Sequence, residues 1–268
     1  MTTLPPEPPP QLHQARQVAE SFGTNADSYD RVRPRYPDAL VERVVAASPG
    51  REFLDVGCGT GIAARQFQAM GCQVLGIDPD EQMAALARRH GLTVEVSTFE
   101  DWDDAGRTFD AVIAGMAWHW VDPAAGAAKA ARVLRPGGRL ALFWYVSQAP
   151  DDLAESFRQV YRRVLPDSPY VRGVMPTLDA YSAIFVKAEG GIRQAAAFGE
   201  PERWRYDWDR RYTRDELLEQ VPTFGGFSAI PPEAQTELLA GLGDAVDAAG
   251  GAFTTHYTAV AVTTVCQS

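Results

Sequence analysis

Phe53-Leu54-Asp55-Val56-Gly57-Cys58-Gly59-Thr60-Gly61 is an apolar run ending in alternating glycines, and Asp78 closes the next apolar run, Gln73 to Ile77. A strand entering Gly-x-Gly-x-Gly, then a helix, then a second strand tipped by an acid is the sequence form of a βαβ nucleoside-binding unit. Glycines at the first turn let the backbone approach a ligand closely, and a carboxylate on the second strand can accept both hydroxyls of a ribose. Gly57, Gly59, Thr60 and Asp78 are therefore candidate ligand contacts, with Pro79 beside them.

The details of this turn separate two ligands. A dinucleotide site uses Gly-x-Gly-x-x-Gly and lays the pyrophosphate on the helix N-terminus. Here Ile62 stands where the last glycine belongs, and Gly61 comes one residue early. Asp55 lies two residues before the first glycine; a buried carboxylate there would repel a pyrophosphate but can hold the ammonium end of an amino acid. S-adenosylmethionine has a ribose, an adenine, an amino-acid tail and no phosphate, and is the ligand this loop suits.

Composition sets limits around that reading. At 268 residues and 46% hydrophobic, the chain can bury one large α/β core and still has length for a cap. A net charge of −10 argues against a nucleic-acid backbone as partner and favours small neutral or cationic substrates. Cys58, Cys72 and Cys266 are too scattered for a metal site and fit a reducing cytoplasm. His13, His90, His119 and His256 do not sit with acids at ligand spacings, so no metal is expected. No apolar run is long enough to cross a membrane. Residues 1–10 hold five prolines and read as a disordered tail.

The patterning predicts a polar helical arm over 11–29 and a helix over 37–47. Alternating units follow: strand 51–56, helix 60–69, strand 73–77, helix 80–90, strand 93–96, strand 109–114, helix 123–134 and strand 139–145. Strands divided by helices imply a parallel sheet with right-handed crossovers. After Ser147 the alternation stops. Helices are predicted over 150–164 and 178–188, the latter ending before Gly190-Gly191. Strand 202–212, helices 214–221 and 232–248, and strand 253–265 follow. The expected fold is a doubly wound, mostly parallel seven-stranded α/β sheet with an antiparallel C-terminal hairpin. Residues 37–146 and 200–268 form its core, 11–36 an arm over the cofactor, and 147–199 a helical substrate cap above the C-terminal strand ends.

With these segments the chain resembles the class I S-adenosylmethionine-dependent methyltransferases. The likeness rests on the glycine loop, Asp78-Pro79, Val96 to Trp102, Phe109 to Ala114 and Arg135-Pro136-Gly137-Gly138. Phe22-Gly23 to Pro37, Leu218 to Phe224, Pro231-Pro232-Glu233 and Tyr257 to Thr264 resemble the bacterial small-molecule branch related to trans-aconitate methyltransferases. The resemblance implies Met83 under the adenine, and Thr98, Phe99 and Glu100 along its edge; many relatives carry Asp where Thr98 stands. It implies Tyr29 and Arg33 on the arm near the methionine moiety and its carboxylate, and Gly115 and Met116 beside the cofactor.

The same likeness places Gly115 to Trp120 opposite the transferable methyl group. His119 is the candidate general base, and Trp118 and Trp120 candidate pocket walls; ordinary loop packing is the competing reading. Trp144, Tyr145, Tyr170, Tyr181, Phe185 and Phe224 are further aromatics expected near the roof. They point to an aromatic or heteroaromatic acceptor methylated on carbon, nitrogen or oxygen, with a small carboxylic acid as the alternative. S-adenosylhomocysteine is the expected product, from a monomer or homodimer. A nicotinamide-dependent oxidoreductase and a non-catalytic S-adenosylmethionine-binding protein are the competing classes.

Overall fold

The computed structural model describes residues 25–166 and 178–267. Its strands are β1 Glu52–Val56, β2 Gln73–Asp78, β3 Thr93–Val96, β4 Phe109–Gly115, β5 Leu134–Gln148, β6 Glu202–Thr213 and β7 Ala252–Val265. They form one sheet in the order β3-β2-β1-β4-β5-β7-β6. β1 to β5 run parallel, and β7 lies antiparallel between β5 and β6, the expected closing hairpin. The chain leaves β1 toward β2 on one side and later returns to β4 on the other. The crevice beyond the C-terminal ends of β1 and β4 is thus the switch point where open α/β sheets bind ligands.

β1 and β4 read as nearly continuous apolar runs because helices cover both faces of the sheet. On one face lie α2 Asp38–Ala46, α3 Ile62–Ala69 and α4 Glu81–Arg89, whose Val44, Phe67 and Ala87 pack with Phe53, Ile113 and Phe143. On the other lie α5 Pro123–Val133 and α7 Leu178–Ala195, where Ala130, Phe185 and Ile192 meet Leu54, Val112 and Leu142. Local chemistry starts these helices where the chain must turn. Asp80 caps α4 by accepting from the Gln82 and Met83 N–H groups, and Asp122 caps α5 through Ala124 and Ala125. The N-terminal helix α1, Ala26–Val32, docks on α4 through Ala26, Met83 and Leu86.

A third apolar cluster stands apart from the two sheet faces. It joins α6 Asp151–Val164, α8 Arg214–Gln220 and α9 Pro232–Ala248 to Tyr212, Phe253 and Tyr257 at the ends of β6 and β7. This changes the expected cap. Among the described residues of 147–199, α6 gives most of the roof and α7 adds Tyr181, while Phe185, Ala188 and Ile192 on one stripe of α7 cover the sheet beside α5. The remainder of the roof comes from between β6 and β7. α7 also runs straight through Gly190-Gly191, where a break was expected. A Cβ on Gly191 would stand 2.1 Å from the Pro123 carbonyl oxygen, so that glycine permits close approach of two helices. Tyr170, the proline-rich tail and most of the arm lie outside the described residues. Among the described residues no helix is long and apolar enough to cross a membrane.

Candidate functional site

The glycine turn leaves β1 with Gly57 at φ +67° and Gly59 at φ +54°, and Gly61 begins α3 in the left-handed region. Gly57 is required twice over: a Cβ there would fall 2.5 Å from the Ala117 Cβ. Around Gly59 the space is open for a ligand. Asp78 shapes the turn from the tip of β2. Its Oδ2 accepts from the Gly59 N–H at 2.7 Å and its Oδ1 from the Asp80 N–H at 2.9 Å. Each oxygen keeps a further lone pair for a ribose hydroxyl. Burial raises the Asp78 pKa to about 6 despite these bonds.

Beside this turn lies a cavity of about 510 Å³, running from the ends of β1 to β3 to beneath the roof. Gly59, Asp78, Pro79, Met83, Thr98, Phe99 and Glu100 line its first part, and Gly57, Gly115 and Met116 its middle. Met83 is buried on α4 and offers its side chain as an apolar bed. The Thr98 hydroxyl is paired with the Asp101 carboxylate at 2.8 Å, and Glu100 accepts from the Asp122 N–H at 2.9 Å. Both residues border the nucleoside end, and Glu100 is bonded there through one carboxylate oxygen.

A second cavity of about 50 Å³ adjoins the first, sharing Tyr29, Arg33, Gly57, Gly59, Gly115, Met116 and Tyr145. Asp55 and Thr60 line it, and both are only 1% exposed. Neither Asp55 oxygen, nor Thr60 Oγ1, nor Arg33 Nε has a regular hydrogen-bond partner. Burial first, then the charge of Asp78, lifts the Asp55 pKa to about 8, with the Ala64 amide acting the other way. Polar groups buried without partners are costly and mark a place built for a ligand. The set comprises one acid, one hydroxyl and one guanidinium. That is the complement of an ammonium and a carboxylate on the same carbon. Arg33 is held for the task, sandwiched between the Tyr29 and Phe224 rings at 4.7 and 4.9 Å and donating to the Thr223 carbonyl at 2.6 Å.

The loop after β4 arranges the far half of the cavity. Met116 adopts φ +54° and accepts at its sulfur from the Tyr145 N–H. His119 and Trp120 line the cavity, with ring centroids 4.8 Å apart. Trp118 does not; it is buried between Phe99 and the Gly126 backbone. Trp144 is likewise core, fully buried against Phe185, and it reaches the site only through its indole N–H, which donates to His119 Nδ1 at 3.2 Å. That bond occupies the lone pair that a general base would use, and burial lowers the His119 pKa to about 4. Trp118 and Trp144 were expected as pocket walls and His119 as a base; the short turn after β4 packs the Trp118 indole into the core, alternation along β5 does the same for Trp144, and Trp144 fixes the imidazole. Tyr145 and Tyr181 line the cavity.

Sequence reasoning missed most of the roof. Phe157, Tyr161, Tyr212, Phe253 and Tyr257 line the cavity, with the Tyr212 and Tyr257 hydroxyls 2.5 Å apart. The four-residue spacing of Phe157 and Tyr161 on one helix face was a legible signal. Tyr212 and Tyr257 belong to antiparallel strands, and only the register between β6 and β7 brings them together.

Residues 54–142 match a family described as a methyltransferase domain. An uncharacterized methyltransferase of Mycobacterium bovis is 28% identical over 229 residues, which cover 84% of this chain and 84% of that protein. The malonyl-[acyl-carrier protein] O-methyltransferase of Enterobacter lignolyticus is 35% identical over 168 residues, 58% of this chain and 62% of its own. A solved structure from Anaeromyxobacter dehalogenans, assigned to the type II methyltransferases, superposes with a TM-score of 0.64 at 26% identity, covering 86% of this chain and 97% of that one.

Proposed function

We propose that the chain is a class I S-adenosylmethionine-dependent methyltransferase, a reading supported by the matched methyltransferase domain and the fold shared with the solved relative, and that it methylates a small, flat aromatic or heteroaromatic acceptor held under the roof. The observation that carries this is the pair of joined cavities. The small one holds unpartnered Asp55, Thr60 and Arg33 Nε, and the large one runs from Asp78 to a cluster of tyrosines. The residues fit the cofactor: Asp55 and Arg33 its amino-acid end, Asp78 its ribose, Met83 and Phe99 its adenine.

When bound, S-adenosylmethionine supplies a methyl group already activated by a sulfonium, and S-adenosylhomocysteine is left. The protein then has to align the acceptor and exclude water, and such positioning can lower a barrier by roughly 7–11 kcal/mol. Tyr29 and Arg33 on the arm and Phe224 on the loop after α8 cover the junction of the two cavities and exclude water there. Trp120, Tyr145 and Tyr181 give the acceptor flat walls.

A small carboxylic acid is the second reading, supported by the likeness to a malonyl O-methyltransferase. Equilibrium titration with S-adenosylmethionine, S-adenosylhomocysteine and NADH tests the cofactor assignment. The two sulfur nucleosides should bind, and NADH should not. Asp78→Ala should weaken binding by roughly tenfold or more, the usual effect of losing hydrogen bonds to a charged group. Binding of NADH alone, or indifference to Asp78→Ala, would overturn the proposal.

A further inference from the structure

His119 sits in the single turn Trp118–Trp120 after β4, and one side of its ring is already committed. The Trp144 indole N–H donates to His119 Nδ1. An indole nitrogen can only donate, so Nδ1 supplies a lone pair and the neutral ring carries its proton on Nε2. Burial opposes charging of the ring. Among the described residues Nε2 has no hydrogen-bond partner, while the ring lines the cavity. His119 therefore presents a free N–H donor where the sequence alone led us to expect a proton acceptor.

The other groups of the acceptor half have the same character. Tyr145, Tyr161, Tyr181 and Tyr257 are kept as phenols by burial, which raises the pKa of each. Tyr212, the Gln220 amide and the Ser147 and Thr255 hydroxyls add to the polar lining there. The two carboxylates of the cavity, Asp78 and Glu100, stand at the nucleoside end and are bonded to backbone N–H groups. Arg33 stands at the junction with the small cavity beside Tyr29. No described residue of the acceptor half can serve as a carboxylate base, and the cation nearest to it is Arg33 at the junction, which reaches Tyr145.

We infer that the acceptor reacts as a delocalised oxyanion, a phenolate or enolate, whose oxygen is held by His119 Nε2–H, with Trp144 as the positioning residue that sets the tautomer. This rests on the methyltransferase reading above. The acceptor gives its proton to water on ionising. An electron pair on its oxygen, or on the conjugated carbon, forms the new bond to the methyl carbon as the methyl–sulfur bond breaks and leaves its pair on sulfur. A carbon-methylated product then loses its ring proton to water. The acidic net charge governs long-range encounter and is screened within about 10 Å in ordinary buffer, whereas these donors act at contact.

Two measurements on the full-length protein saturated with S-adenosylhomocysteine test this. Nitrogen-15 NMR of the imidazoles, assigned with His119→Gln, should show the Nε2–H tautomer at neutral pH, and Trp144→Phe should introduce the Nδ1–H form. An Nδ1–H or charged His119 in the unmodified protein would overturn the donor assignment. The second probe is 4-nitrophenol followed by absorbance. It should bind as the phenolate with a lowered apparent pKa, about tenfold or more weakly in His119→Leu, and be retained by His119→Gln, whose amide still donates. Failure to bind, binding as the neutral phenol, or indifference to His119→Leu overturns the acceptor class; so does tighter binding of 4-nitrobenzoate or 4-nitroanisole. Affinity for S-adenosylhomocysteine on the same samples separates the readings. Its absence sinks the methyltransferase assignment, whereas unchanged affinity alongside a failed probe sinks only this inference.

Discussion

Asp55 shows how a single residue exchanges stability for binding. In the free protein its carboxyl is buried without a regular partner, and its pKa is raised from 3.8 to about 8. A carboxyl whose folded pKa lies above its unfolded value favours the folded state at low pH, and that contribution is lost as pH rises through the folded value. Asp78, raised to about 6, adds a loss of the same sign over a lower window. The buried His119, lowered from 6.5 to about 4, acts the other way below about pH 6.5 but is outnumbered by the two acids, so the free protein should still melt at progressively lower temperature between about pH 4 and pH 8. Asp55→Asn should flatten the upper part of that fall and raise the melting temperature above pH 8, while weakening S-adenosylhomocysteine binding. Thermal melts across that range check this; a variant that melts below the unmodified protein at pH 9 contradicts the burial argument. The identity of Asp55 and its place before the glycines were legible in the sequence, because strand and turn are local. Its isolation was not, since the absence of a partner depends on everything packed around it.

At the scale of one element, α7 is the informative case. Gly190 is exposed and has open space around its α-carbon, whereas Gly191 is buried against Pro123 at the start of α5. Read along the chain, the pair looks like a helix breaker, because glycine lowers helix propensity by about 1 kcal/mol per residue. In the fold the second glycine lets two helices meet backbone to backbone. Gly190→Ala should accordingly be neutral or stabilise by up to about 1 kcal/mol. Gly191→Ala should destabilise by about 1–3 kcal/mol, the usual cost of overpacking a tight contact. Urea denaturation of the two variants separates the accounts. Equal effects would mean that the pair acts through propensity alone.

At the scale of the whole molecule, the arm and the roof meet across the cavity. Arg31 of α1 pairs with Glu219 of α8, Arg33 bonds the Thr223 carbonyl, and Arg210 of β6 bonds the Val32 carbonyl at 3.3 Å. The exposed Arg31–Glu219 pair contributes little by itself; the half-buried Arg33, held by two rings and a carbonyl, is the stronger tie. Occupation of the small cavity should therefore tighten both sides together. Hydrogen exchange should slow in residues 26–33 and 220–230 in parallel when S-adenosylhomocysteine binds. Slowing in only one segment would show that arm and roof move independently. At a hundred times its dissociation constant the nucleoside should stabilise the fold by about 2.7 kcal/mol. For a chain near this size that corresponds to a rise in melting temperature of about 5–11 °C.

By itself the order of residues determined the sheet, its helices and the nucleoside end of the site, because each depends on a short-range pattern. The glycine turn, the acid at the end of β2 and the alternation of β and α all lie within the span of one or two elements. Tertiary structure decided the acceptor end. The roof is assembled from α6, which ends at Val164, and from α8 and α9, which begin only at Arg214 and Pro232, and Tyr212 meets Tyr257 only through strand register. His119 changes from expected base to donor because Trp144, on the neighbouring strand, turns its indole toward it. A side chain's chemistry is written in its identity, but which lone pair remains free depends on the neighbours that folding brings within hydrogen-bond distance.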